Sequence, residues 1–99
     1  MAKYDVFARR SGPGYLLDCQ ADLLSQLNTR FVVPLLPAAA APKPAARLNP
    51  VFELEGEAHV MTTQFAAAVP VAALGEKVTS LRDQDTAILN ALDMLISGF

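Results

Sequence analysis

Residues 79–99 read TSLRDQDTAILNALDMLISGF and form the longest amphipathic pattern of the chain. The apolar residues recur at the spacing of one helix face: Leu81, Ile88, Leu92 and Leu95, widened by Ala87, Ala91 and Met94. Most of the polar residues fall outside that stripe. The pattern therefore predicts a helix over residues 81–95 with one face on a core, which the rest of the chain must supply.

Both ends of this helix carry terminal signals. Ser80 and Asp83 have the spacing of a capping box, with Asp in place of the usual Glu. Gly98 is expected just beyond the helix in a left-handed conformation. Ile96 and Phe99 then remain as large apolar residues around the exit. Such an end fits a frayed terminus, a dimer interface or a partner-binding element, and periodicity does not choose among them.

Two further apolar pairs do not fit a single buried face. Leu23 and Leu24 are adjacent, so both cannot point inward from a strand or a short helix. Core packing and a binding surface remain open interpretations for them. Leu89 and Ile96 lie seven residues apart, outside the main stripe, and share a second helix face. We interpret that face as an oligomer or partner surface.

Composition limits the class of protein. The 99 residues predict one domain over residues 1–99, and 53% of them are hydrophobic, above the usual ~45–50%. This excess suggests an apolar surface buried elsewhere, such as in a homodimer. The net charge is −2 without a cluster of Lys or Arg, so no direct nucleic-acid or membrane partner is expected.

The expected location is the cytoplasm. Cys19 is the only cysteine and cannot form an internal disulfide, which fits a reducing compartment. The first ten residues lack the apolar core of a signal peptide. The longest apolar run, residues 31–42, contains three prolines and falls short of the ~20 residues that span a bilayer.

Short extended segments precede the helix. Residues 3–9 and 15–19 flank the turn at 11–14, and residues 51–54 and 58–63 flank the turn at 55–57, which predicts two hairpins.

Residues 20–29 are a short helical turn or an exposed loop. Residues 30–36 are a buried strand in which Pro34 implies an edge, a bulge or a bend. Residues 37–50 are a proline-rich surface connection. This order predicts an α+β fold with an antiparallel sheet.

The residues with chemical potential are better explained as structural. His59 is interpreted as a strand histidine, because no serine or cysteine is tied to it by spacing. Cys19 lacks the basic neighbours that would activate a thiol. Asp18 and Asp22 are too few for a metal site and read as a polar turn. No nucleotide or metal motif is present. The sequence thus predicts neither an enzyme nor a cofactor.

In its residue order the chain resembles the CcdB toxins of bacterial toxin–antitoxin modules. Family members show an Asp-x-Gln-x-Asp pattern followed by two aliphatic residues. The residues that carry the resemblance are Asp18-Cys19-Gln20-Ala21-Asp22 with Leu23-Leu24, Arg30-Phe31-Val32-Val33-Pro34-Leu35, Pro50, Met61-Thr62-Thr63, Val69-Pro70-Val71, Gly75-Glu76-x-Val78, Leu81, Asn90-Ala91 and Gly98-Phe99. Their order and spacing over nearly the whole chain make the resemblance specific.

The resemblance implies a small antiparallel SH3-like barrel or sheet, a minor sheet and one long C-terminal helix. Family toxins form homodimers across the ends of those helices. They poison DNA gyrase by binding its GyrA subunits and trapping its cleaved DNA complex. A cognate antitoxin wraps the toxin and reverses this. The family's toxins act by binding and use no catalytic residue, metal or cofactor.

The resemblance also implies site residues. The gyrase-binding positions are Ser97, Gly98, Phe99, Ile96, Asp93, Leu23 and Leu24, and the antitoxin-binding positions are Leu23, Leu24, Asp93 and Ile96. Ser97 departs from the family, in which a tryptophan stacks in the gyrase dimer interface. Asp93 stands where asparagine is common and adds a charge close to the dimer axis.

Two alternatives remain open. A non-toxic homologue that keeps only antitoxin binding is suggested by Ser97. An endoribonuclease on the same barrel would need an acid/base pair and basic residues around a groove. His59 and Arg30 are the residues that such an activity would have to use.

Overall fold

A computed structural model describes residues 1–98. The strands are β1 (Asp5–Arg9), β2 (Tyr15–Asp18), β3 (Thr29–Pro37), β4 (Val51–Leu54), β5 (Glu57–Met61), β6 (Ala67–Pro70) and β7 (Leu74–Ser80), and the helix is α1 (Asp85–Ser97). The antiparallel sheet has the order β4-β5-β3-β2-β1-β7, and β6 also pairs with β3. It is a curled half-barrel with minor strands and one long C-terminal helix. The predicted α+β class is confirmed.

Helix α1 packs against this sheet. Its core face contributes Ile88, Ala91 and Leu92, all buried, to the main hydrophobic cluster. Leu95 belongs to the same predicted stripe yet is exposed, because the last turn extends beyond the cover of the sheet. None of the described helices is long and apolar enough to cross a membrane.

The start of α1 differs from the prediction. Thr79 and Ser80 end strand β7, and a single 3-10 turn over Arg82–Gln84 precedes the helix. The Ser80 hydroxyl accepts a hydrogen bond from the Arg82 N–H at 3.3 Å, but no side chain caps the first turn of α1 itself. The capping box is therefore wrong, because pairing of residues 79 and 80 with β1 extends the strand through this region.

Both predicted hairpins are present. Strand β1 pairs with β2, and β4 pairs with β5 across a two-residue turn. In that turn Glu55 and Gly56 both have positive φ, 54° and 76°. This is the conformation whose twist matches that of the flanking strands.

Pro34 lies in the middle of the sheet, which corrects the expectation of an edge position, and its pairing with β2 has no bulge. Strand β3 pairs with β2 along one side, and with β6 and then β5 along the other. Pro34 falls where the second side changes partner, since β6 pairs with residues 29–32 and β5 with residues 35–37. Its carbonyl accepts the Thr62 N–H at 3.0 Å. The missing proline N–H thus costs no ladder hydrogen bond.

The proline-rich connection of residues 37–50 is largely exposed, as predicted, and firmly anchored at its end. Asn49 is buried, and its amide nitrogen donates to the Met61 carbonyl at 3.0 Å and to Gln64 at 2.7 Å. The Thr63 hydroxyl donates to the Leu48 carbonyl at 2.5 Å. These contacts fix the point at which the connection enters β4.

Candidate functional site

The leucine turn, which we define as Leu23, Leu24 and Leu27, is the most exposed apolar feature near the sheet. Their exposed fractions are 92%, 47% and 51%. The turn leaves β2 through a 3-10 segment, Asp22–Leu24. Burial of Leu23 and Leu24 in the core of this chain was one of the two interpretations, and it is wrong.

Polar contacts hold the leucine turn in place. The Gln20 amide oxygen accepts the Phe31 N–H at 2.9 Å, and its amide nitrogen donates to the Leu24 carbonyl at 3.0 Å. Asp22 accepts the Lys3 N–H at 2.7 Å. The turn is therefore built from hydrogen bonds rather than from burial of its leucines, which leaves those side chains available to a partner.

The second element is the helix ridge, which we define as Asp85, Leu89, Asp93 and Ile96. The first three follow at intervals of four residues and Ile96 three residues later, so all four lie along one flank of α1. Leu89 is 37% and Ile96 77% exposed. The prediction that these two residues share a face outside the core is confirmed. Carboxylates and exposed apolar side chains alternate along this ridge.

A polar cleft lies beside the first residue of the ridge. It has a volume of about 450 Å³, and the charged residues that line it are Lys3, Asp5, Asp22, Lys77, Arg82 and Asp85. Asp22, which precedes the leucine turn, and Asp85, the first residue of the ridge, therefore line the same cleft.

Tyr4 joins the N-terminal segment to α1 across this cleft. It is buried with a positive φ of 73°, and its hydroxyl donates to Asp85 at 2.5 Å. Burial, followed by the hydrogen bond to Asp85, raises the pKa of Tyr4 well above its usual range. Tyr4 therefore stays protonated and keeps the first turn of α1 attached to the sheet.

Helix α1 ends as predicted. Gly98 adopts φ 79°, and its N–H donates to the Met94 carbonyl at 3.0 Å. Ser97 and Gly98 are exposed. A Cβ added at Gly98 would meet nothing within 4 Å among the described residues. Phe99, the last of the predicted tail residues, lies outside the described residues.

The residues considered for catalysis are part of the interior. His59 is buried, its Nδ1 lies 2.9 Å from the Glu57 carbonyl, and its ring packs on Tyr15 with centroids 5.1 Å apart. Burial is the main cause that raises the pKa of the Cys19 thiol to about 12. His59 lies in strand β5, as predicted, and both side chains are buried. Across residues 1–98, no group of three His, Cys, Asp or Glu side chains could hold a metal ion.

One polar pair was not foreseen as a pair. Asp18 and Arg30 are fully buried and joined by two hydrogen bonds, from Nε at 3.0 Å and Nη2 at 2.6 Å to Oδ2. The other Asp18 oxygen accepts the Gln20 N–H at 3.0 Å. The sequence signal for this pair was Arg30, the single arginine at the start of an apolar strand. A buried arginine requires an acidic partner, so its position indicated that one should exist.

This combination of a curled antiparallel sheet, a single C-terminal helix and an exposed apolar turn and ridge defines a small α+β protein with a surface suited to protein contacts. The family model described as CcdB protein matches residues 3–98. The chain belongs to the CcdB family, and its general role is that of the toxin in a toxin–antitoxin system.

Proposed function

We propose that this protein is a cytoplasmic, homodimeric toxin that binds the GyrA subunits of DNA gyrase through its C-terminal tail, Ser97, Gly98 and Phe99. The observation that carries the proposal is the end of α1, where Ile96 is 77% exposed and Gly98 closes the helix in a left-handed conformation. In the resembled family the tail is the poisoning element. Its glycine matches here, and Phe99 supplies the aromatic group that Ser97 lacks.

The leucine turn and the helix ridge extend this contact surface. Leu23, Leu24, Asp93 and Ile96 are all exposed, and none of them belongs to the main core cluster. One apolar surface used by both gyrase and the cognate antitoxin explains neutralisation by simple competition. An exposed apolar patch rimmed by charge is typical of such sites.

Induced expression in a gyrase-sensitive bacterium tests the proposal. We expect growth arrest and an accumulation of gyrase-linked cleaved DNA with the full chain. Deletion of residues 97–99 should abolish both effects while leaving the folded dimer intact by circular dichroism and sedimentation. Lys43→Ala, an exposed change in the proline-rich connection, is the control that should still arrest growth. If the truncated chain still kills, the tail mechanism is wrong.

A second candidate is a homologue that keeps antitoxin binding and has lost the poison. The specific observation in its favour is Ser97, which presents a small hydroxyl where the family presents an indole. Purified protein separates the two candidates. A poison increases the cleaved gyrase–DNA complex with dose, whereas the inert homologue leaves it unchanged and still binds antitoxin.

The endoribonuclease alternative has no support from the two residues that it would have to use. His59 is 2% exposed and Arg30 is fully buried in its ion pair with Asp18.

A further inference from the structure

The curled sheet does not close on itself. Among residues 1–98, β4 pairs only with β5 and β7 only with β1, so each has one unpaired edge. A groove of about 460 Å³ is lined by the ends of both strands, residues 53–55 on one wall and 78–81 on the other. We call this groove the open seam. An unpaired strand edge is a template for pairing with another chain.

The main-chain groups that face the open seam follow from the hydrogen bonds of the neighbouring strands. The Pro50 carbonyl accepts the Met61 N–H at 2.9 Å, so Pro50 faces β5. Since successive residues of a strand face opposite edges, Phe52 also faces β5, whereas Val51 and Glu53 turn their N–H and C=O groups outward. Strand β4 therefore offers two residues with free donors and acceptors.

On the β7 wall, the Leu81 N–H donates to the Tyr4 carbonyl at 2.9 Å, so the preceding residue, Ser80, turns its main-chain groups away from β1. Between β4 and β7 the sheet contains five neighbouring strand pairs, and each pair is antiparallel. Because five is an odd number, β4 and β7 run in opposite directions. A single inserted strand can be antiparallel to only one of them. Antiparallel pairing with β4 uses its two free residues.

The side chains of the seam specify what fits it. Leu54 is buried at the floor, and Leu81 is partly buried beside it, both in the main cluster. Glu53 and Glu55 are exposed at the rim, and the lining contains no cation. Glu57 adds a third carboxylate at the same hairpin. An inserted strand would meet apolar groups on its inner face and carboxylates on its outer face.

We propose that the open seam binds an extended peptide segment of a partner protein, with alternating basic and apolar residues, as an antiparallel strand on β4. Its basic side chains lie beside Glu53 and Glu55, and its apolar side chains contact Leu54 and Leu81. Main-chain hydrogen bonds provide the affinity, and this alternation provides the selectivity.

A second copy of the chain is the competing occupant, and the charges disfavour it. Two β4 edges paired about a twofold axis would bring the Glu53 carboxylates of both copies close together. Like charges on adjacent strands are destabilising, so the acidic rim acts against self-association and favours a basic segment.

The test uses two synthetic probes on the whole, isotope-labelled protein. The first is the peptide acetyl-Lys-Val-Lys-Val-Lys-Val-Lys-amide. The second has the same sequence and charge but is N-methylated at its lysine residues, whose main-chain groups would face β4. We expect the first to shift the Val51 and Glu53 amide resonances in an NMR titration. The second should bind about tenfold more weakly, because hydrogen bonds to β4 are lost.

A matched pair of variants tests the charge. Glu53→Gln and Glu76→Gln each remove one exposed carboxylate, but only Glu53 lines the seam. We expect Glu53→Gln to weaken binding of the first probe about threefold or more, and Glu76→Gln to change it less than about twofold.

Three outcomes would overturn the proposal. Equal affinities of the two probes would mean that charge alone attracts the peptide. Equal losses in the two variants would place the peptide elsewhere. Shifts of Val51 and Glu53 that depend on protein concentration without any probe would identify a second copy as the occupant. These three outcomes come from peptide binding and do not depend on the growth-inhibition experiment, which tests the role of residues 97–99.

Discussion

Arg30 and Asp18 form a salt bridge inside the protein, with Nη2 2.6 Å from Oδ2 and no accessible surface on either side chain. The pair joins β3 to β2. It is also linked to the leucine turn, because Asp18 accepts the Gln20 N–H and the Gln20 amide donates to the Leu24 carbonyl. Arg30 Nη1 finds no hydrogen-bond partner among the described residues. Hydrogen bonds through Gln20 thus link a costly buried charge pair to the leucine turn.

Loss of one partner of this pair is expected to be severe. Arg30→Met leaves the Asp18 carboxylate buried and unpaired, and should lower the free energy of unfolding by about 3–5 kcal/mol. Urea denaturation measures the change. The double variant Asp18→Leu/Arg30→Met removes both charges and should be less destabilised than Arg30→Met alone. A double variant at least as unstable as the single one would contradict this account.

Substitutions in the leucine turn should affect partner binding and leave the stability of the fold almost unchanged. Leu23→Ala removes a side chain that is 92% exposed, and should change the free energy of unfolding by less than about 0.5 kcal/mol. Leu17→Ala, at a fully buried position, should cost about 2–5 kcal/mol. Under the proposed function, Leu23→Ala should also reduce growth inhibition at unchanged protein level. A large loss of stability in Leu23→Ala would show that the turn is structural.

Ser97 predicts a gain of function. Ser97→Trp restores the large flat side chain that the family uses at this position, and aromatic side chains dominate the energetics of interfaces. Under the proposed function, we expect gyrase binding to tighten by about thirtyfold, the equivalent of about 2 kcal/mol for a typical hot spot. The measurement is the protein concentration that gives half-maximal cleaved gyrase–DNA complex.

Ser97→Ala is the control for that gain, because it removes the hydroxyl without adding a contact surface. It should leave the half-maximal concentration within about twofold of the original. Equal behaviour of the alanine and tryptophan variants would mean that position 97 does not touch gyrase.

Two glycines separate backbone strain from steric clash. Gly14 and Gly56 both have positive φ, 93° and 76°. A Cβ at Gly14 would collide with the Leu35 carbonyl oxygen, whereas one at Gly56 would meet nothing within 4 Å among residues 1–98. Gly56→Ala should cost about 1–2 kcal/mol from the left-handed conformation alone. Gly14→Ala should cost about 1–3 kcal/mol more. Thermal unfolding of the two variants measures this difference, and equal losses of stability would contradict the steric clash at Gly14.

Cys19 predicts a loss of stability at alkaline pH. Burial, with a smaller contribution from Asp18, raises its pKa in the folded protein from 9.0 to about 12. Between these values the unfolded chain binds fewer protons than the folded one. The free energy of unfolding therefore falls as the pH rises, by at most about 1.4 kcal/mol per pH unit, and the contribution is fully present below pH 9.

Urea unfolding between pH 8 and pH 11 checks this dependence in the original chain and in Cys19→Ala. The variant should lose most of the slope between pH 9 and pH 10. Above about pH 10 a slope remains, because the raised pKa of Tyr4 acts in the same direction, and Tyr4→Phe should remove it. Identical slopes in the original chain and Cys19→Ala would show that the thiol titrates normally.

Local patterns were sufficient to predict several features. The apolar spacing at Ile88 and Leu92 predicted the helix, the turn residues predicted both hairpins, and Gly98 predicted the left-handed helix end. Each of these depends on interactions within a few residues of sequence. Residue order over the whole chain, rather than any single motif, indicated the CcdB family.

Other features were decided by the tertiary structure. Periodicity does not state which strands become neighbours, so it missed the central position of Pro34, where one edge of β3 changes partner. It also missed β7, whose residues are mostly exposed or half-buried and show little alternation. The ion pair of Asp18 and Arg30 joins residues on adjacent strands and exists only once β2 and β3 are in register.

The sequence by itself determined the fold class, the helix and its left-handed end, because these follow from side-chain spacing and from the conformational freedom of glycine. Only the tertiary structure decided that Leu23 and Leu24 are both exposed, that Leu95 lies beyond the cover of the sheet, and that β4 and β7 leave a seam. These depend on which surfaces the folded sheet covers, and burial is a property of the assembled chain rather than of any segment.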